Sequence, residues 1–266
     1  TATIVGNENV IVYHKVEVKD STLVDHTSED APDNMPSIRI IVSSPSLRTI
    51  NLSGTGDIDI KDNLTCDNLD INLDGAGDID IESVDCSMLN ASISGAGDIS
   101  IDNMNCTSVN SNVSGAGDIK LGNTVCASDA KLNISGAGDI KADIKCRFIH
   151  VEVAGAGDAD LNIDCNTITA IASGTGTLEL KGHTEILNKN ESGLSNIEFE
   201  KLEVENINYK FEVFEGPLEL LLTLVAAIIF FSIWKVVVWL GQDPAATLWQ
   251  EVGQWQIRME ENMTRW

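Results

Sequence analysis

Positive charge is what this chain has least of. Seventeen lysines and arginines stand against 41 aspartates and glutamates, for a formal charge of −24 and a pI near 4.3. Such a surface repels nucleic-acid phosphates and anionic lipid head groups, which excludes DNA and RNA as partners. The acidic residues read as decoration of outward strand positions, favouring solubility and discouraging edge pairing. Histidine is as scarce: His14, His26, His150 and His183 are the only four, and none falls in a nucleophile or metal motif. No positively charged, apolar leader opens the chain, so a signal peptide has either been removed ahead of it or was never there.

What the chain has instead is repetition. SGAGDI occupies 94–99, 114–119 and 135–140, with looser copies at 53–58, 74–79, 154–159 and 173–178. Cysteine keeps the same beat at Cys66, Cys86, Cys106, Cys126, Cys146 and Cys165. A period of about twenty residues is too short for a helix pair and suits one coil of a solenoid. Within a repeat, Ile79, Ile81, Val84, Leu89, Ala91 and Ile93 alternate with polar residues, the mark of strands with one buried face. Coils of this kind, stacked in register about 4.8 Å apart, make an all-β, right-handed parallel β-helix of seven to eight coils.

The turns and the cysteines each ask for a chemical reading. Gly-x-Gly suits a sharp turn that needs positive φ and close contact with the coil above. The aspartate that follows, at Asp57, Asp78, Asp98, Asp118, Asp139 and Asp158, can accept hydrogen bonds from backbone N–H groups left free by the turn. The rival reading is calcium, but one such turn per twenty residues leaves the column short of the six or more oxygens calcium wants. At most, weak calcium binding is expected; no other cofactor and no dedicated metal site are. The cysteines alternate with buried neighbours and should point inward as a column of free thiols. Parallel side-chain vectors disfavour disulfides, and a straight column cannot surround a zinc ion.

The repeated turns carry a family resemblance. From SIRIIVSSPSLRTINLSGTGDI through SGTGTLELKG and the degenerate coil ESGLSNIEFEKLEVENI, about residues 38–208, the chain resembles the head GIN domain proteins, also called auto-transporter adhesins. The resemblance implies a β-helix and an adhesive role.

Around this domain the sequence divides into four further segments. Residues 1–37 hold VIVYHKVEV, a strand expected to cap or flank the open end of the helix, and then a polar loop. Residues 209–217 are a junction at which Gly216-Pro217 breaks the last strand; 208–225 are similar to the start of a bacterial kleisin, but the polar helix due next is replaced by AAIIFFSIWKVVVWL. Residues 218–241 are apolar enough to cross a bilayer as one helix, with Lys235 placed to snorkel and Trp234 and Trp239 suited to the interface. Residues 242–266 space Ala245, Leu248, Val252, Trp255 and Met259 as an amphipathic helix, where Trp249 and Trp255 would meet lipid or a partner.

These features lead to a single-pass membrane protein whose β-helix acts in adhesion or as a surface scaffold, without catalysis. Arg258 and Arg265 put the tail in the cytoplasm and the β-helix on the periplasmic or extracellular side. The alternative is an accessory subunit of a membrane complex, docked to a protein partner or a second copy through the membrane helix and tail. A carbohydrate-active β-helix enzyme ranks below both, because the aspartate columns are too regular to single out an acid and a base of different pKa.

Overall fold

In the computed structural model, residues 2–209 are described, apart from 33, 34, 37 and 45. Alternating hydrophobicity becomes a parallel solenoid. Its eight coils are β6 (Ile58–Ile60) with β7 (Leu64–Leu73), then β8 (Ile79–Ile93), β9 (Ile99–Val113), β10 (Ile119–Ile134), β11 (Ile140–Val153), β12 (Ala159–Ala172), β13 (Thr177–Glu191) and β14 (Asn196–Tyr209). A short strand, β5 (Thr49–Leu52), lies beneath the end of the first coil. Each coil pairs in parallel with the next, residue on equivalent residue, so that Ile79, Ile99, Ile119 and Ile140 form one inward column. A second column runs Leu73, Ile93, Val113, Ile134 and Val153, all at most 1% exposed. The core is therefore a set of such columns enclosed by one continuous sheet.

Of the two reasons expected for the turn glycines, positive φ and close contact with the neighbouring coil, only the second holds. Among the described glycines only Gly182 and Gly193 have positive φ, at 99° and 75°; the glycines of the repeated turns do not. They are needed because the turns stack backbone on backbone: a Cβ on Gly95 would lie 1.9 Å from the carbonyl oxygen of Gly75, and one on Gly115 would lie 2.0 Å from that of Gly95. The same closeness lets Ala96 N–H donate to Gly75 and Ala116 N–H to Gly95, each at 2.9 Å. Gly54 and Gly56, in the first turn, face nothing within 4 Å.

The amino-terminal segment forms two small sheets of its own. β1 (Ala2–Val5) pairs antiparallel with β4 (Arg39–Val42), so SIRII, expected to open the solenoid, joins β1 instead and the solenoid begins at Thr49. In place of one capping strand through VIVYHKVEV there is a helical turn, α1 (Glu8–Ile11), and a hairpin of β2 (His14–Lys19) with β3 (Thr22–Thr27). Asn7 caps α1 by accepting from Asn9 N–H at 3.0 Å. Asp20 and Ser21, at φ 50° and 65°, close the hairpin with the mirror-image turn that matches strand twist. Neither sheet hydrogen-bonds to the solenoid's sheet. Among the described residues no helix is long and apolar enough to cross a membrane; the span expected at 218–241, the tail, and Trp234, Lys235, Trp239, Trp249 and Trp255 lie outside them.

Candidate functional surface

The aspartate column is a chain of bonds running from coil to coil. Each Oδ1 accepts the backbone N–H of the next aspartate: Asp57 from Asp78 at 3.2 Å, Asp78 from Asp98 at 3.0 Å, Asp98 from Asp118 at 2.8 Å, then Asp118 from Asp139 and Asp139 from Asp158, both at 2.7 Å. Asp158 closes the series on Thr177 N–H at 2.6 Å. The carboxylate thus fixes the turn above it rather than its own. No group of three or more aspartate, glutamate, cysteine or histidine side chains among the described residues is gathered for a metal ion.

The six cysteines point into the core as free thiols, with Cys66 and Cys86 half-buried and the other four buried. In register, Cys66 meets Cys86, Cys106 meets Cys126 and Cys146 meets Cys165, and the column continues into Thr184, whose hydroxyl the Cys165 thiol approaches at 3.4 Å. Burial pushes the Cys86 thiol up to about 11 and the Cys146 thiol up to about 12. Cys106 and Cys126 titrate as a pair: the proton leaves Cys126 first, because the Cys106 thiol then donates to its thiolate, and that bond holds Cys106 protonated far above the ordinary thiol range. None of these groups has the exposed, electropositive surroundings of a reactive cysteine.

Outward side chains are also tied coil to coil. Asn90 Nδ2 donates to Asp70 at 2.7 Å, Asn105 to Asp85 at 3.0 Å, Asn123 to Asn103 at 3.1 Å and Asn208 to Asn188 at 2.9 Å. Donation from Asn63 and then Asn105 holds the Asp85 carboxyl below the usual carboxylate range. Lys145 does the same for Asp164, and Lys201 and Lys181 for Glu179. The result is a fixed polar coat.

One corner breaks that coat, and the sequence reading missed it. At Arg147 and Phe148 two successive residues face outward, because the chain bends there between Cys146 and Ile149, both inward. Phe148 is 49% exposed, with Asp129 as its register neighbour on the coil before; Val125, 51% exposed, pairs with Lys145. The Arg147 guanidinium lies 5.9 Å from the Phe148 ring centre and is held there by donation from Nε to Ala127 O at 3.0 Å and from Nη2 to Ser128 Oγ at 3.2 Å. The signal for this site is register: equivalent positions hold Asn68, Met88, Ser108, Asp129 and Thr167, so an aromatic is out of character.

The comparisons agree with this architecture. The chain is similar to a solved structure of a putative adhesin from Bacteroides fragilis, at 25% identity and a TM-score of 0.57, over 79% of this chain and 82% of the other. No curated protein matches it. The family model described as putative auto-transporter adhesin, head GIN domain, matches residues 1–145 and 140–212, and the chain belongs to that family.

Proposed function

We propose that the protein is an adhesion module of the cell surface or envelope, held to a membrane by residues 218–241, and that it makes its contact through the Arg147–Phe148 corner. The observation that carries this reading is the pairing of an exposed ring with a guanidinium already fixed by two hydrogen bonds. A pre-ordered aromatic and arginine lose little freedom on binding, which is how a small patch gains affinity. The family name and the adhesin neighbour support the role, and the regular carboxylate columns argue against catalysis.

The test is retention under shear flow of beads coated with the full chain, on alginate, dextran and collagen surfaces. Retention on at least one surface, lowered by Phe148→Ala and by Arg147→Ala, is the expected result. Retention no better than albumin-coated beads, or untouched by both substitutions, would overturn it. Release of new reducing ends from the polysaccharides would instead mark an enzyme.

The apolar run at 218–241 and the tryptophans after it favour a second reading, an accessory subunit of a membrane assembly. Deleting 242–266 separates the two: a tethered adhesin keeps its surface binding, whereas a docked subunit loses its co-purifying partners.

A further inference from the structure

The strand face that follows each turn carries unpaired carboxylates and unpaired lysines on different coils. Its first outward position runs Asp59, Asp80, Ser100, Lys120, Lys141, Asp160 through the first six coils. Lys120 and Lys141 are exposed register neighbours, and neither has an ion-pair partner among the described residues. Like charges side by side on adjacent strands are destabilising, and the one carboxylate next in the column, Asp160 beside Lys141, is bound to Lys181.

Toward the first turn the same face dips into a shallow depression lined by Asp59, Lys61, Asp80, Glu82, Ser100 and Asp102. Asp59 holds Lys61 at 2.7 Å, but Asp80, Glu82 and Asp102 have no ion-pair partner among the described residues. The unpaired carboxylates sit on the second and third coils and the unpaired lysines on the fourth and fifth. The two sets are balanced about the boundary between β9 and β10.

We infer that two copies of this chain pair through this face as an antiparallel twofold dimer. A half-turn about the strand direction at that boundary lays the second coil over the partner's fifth and the third over its fourth. Asp80 then faces the partner's Lys141 and Ser100 the partner's Lys120, with Asp102 over the partner's Gly122 and diagonal to that lysine, and symmetry makes each contact twice. The alignment of each coil on its own equivalent would set lysine against lysine. Two like-charged pairings arise in the inferred dimer. Glu82 meets the partner's Asp143, and Asp59 meets the partner's Asp160; but Asp59 is neutralised by Lys61 and Asp160 by Lys181 at 2.7 Å. A face about six coils by seven residues spans roughly 29 by 23 Å from strand spacing and rise. That is less than the roughly 800 Å² per partner of a standard interface, so the dimer should be weak and salt-sensitive.

Sedimentation velocity of the full chain in a non-ionic detergent, at about 0.02 M and about 0.5 M salt, tests this, since screening shortens to a few ångströms across that range. Dimer at low salt that dissociates at high salt is expected. The charge swaps Lys120→Glu/Lys141→Glu and Asp80→Lys/Asp102→Lys should each be monomeric alone and dimerise when mixed in equal amounts, since opposite charges then face each other again, half of them as in the wild type and half with their signs exchanged. Monomeric wild type at low salt overturns the inference, as does a salt-independent dimer or a mixture of the two folded variants that stays monomeric. Circular dichroism of each variant confirms that the sheet is intact.

Discussion

At the scale of single residues, the turn glycines and the thiols make the sharpest claims. A methyl group at position 95 has no space, because the nearest backbone oxygen of the coil beneath would be 1.9 Å away, whereas at position 54 it meets nothing within 4 Å. Gly95→Ala should therefore lose roughly 3 kcal/mol or more of stability, while Gly54→Ala stays within about 0.5 kcal/mol. Denaturant unfolding of the two variants checks this, and equal losses would contradict stacking as the reason for the glycines. The thiols set a pH dependence. Burial raises Cys86 to about 11 and Cys146 to about 12 from an ordinary 9.0, so the folded chain keeps protons that the unfolded chain has released. A raised folded pKa gives stability that is complete below about pH 9 and is lost as pH climbs through about 11 for Cys86 and about 12 for Cys146. The melting temperature should fall across that window, and Cys86→Ala with Cys146→Ala should flatten the fall relative to wild type. A slope unchanged by the double substitution would show that the thiols are not its source.

At the scale of elements, the coil is the unit. Most of it is legible in the sequence, because a buried strand face dictates alternation and a stacked turn dictates small residues. Ile79, Ile81, Leu89 and Ile93 all face inward as their spacing requires. Alternation fails where the chain bends: Arg147 and Phe148 both face out, and nothing local in CRFI reveals the bend. The amino-terminal hairpin was illegible for a related reason. TLVDHT reads as a polar loop until the Asp20-Ser21 turn brings it beside HKVEVK. Positive φ at the turn glycines was a wrong inference from composition, whereas the close contact with the neighbouring coil, expected from the same Gly-x-Gly, is what the stacked turns require.

Because neighbouring coils are joined by equivalent residues, removing one whole coil should leave every remaining contact with a counterpart. Deleting Ile99–Asp118 joins Asp98 to Ile119 and restores the repeat at the seam. The shortened protein is expected to fold, with its β circular dichroism intact. Deleting 99–108 alone keeps the alternation, since the inward Val109 takes the place of Ile99, but leaves half a coil that cannot lie along its neighbours, and should abolish folding. Loss of structure in both deletions would show that the coils are not interchangeable.

At the scale of the whole solenoid, stability should vary along the stack. Central coils are hydrogen-bonded on both sides, but β6 pairs only with β8, and the first turn has no coil beneath it among the described residues. Local opening is cheapest where fewest contacts must break, so amides of Ile58–Ile60 should exchange much faster than those of Ile99–Ile101. Hydrogen exchange read by mass spectrometry would show the gradient, and uniform protection would mean that the solenoid opens as one unit.

The coil-to-coil bonds also make the solenoid a mechanical element. Every backbone bond between coils points along the stacking direction, so a pull along that direction loads the layers in series and the weakest loaded layer sets the breaking force. A load entering at Phe148 and leaving beyond Tyr209 crosses only the layers from β11 to β14. The first coil, backed on one side only along β6, carries none of it. The fraying end of the solenoid is thus outside the path of the force, and the layers that bear tension are those in which Asp158 and the Lys181–Asp160 pair stitch one coil to the next.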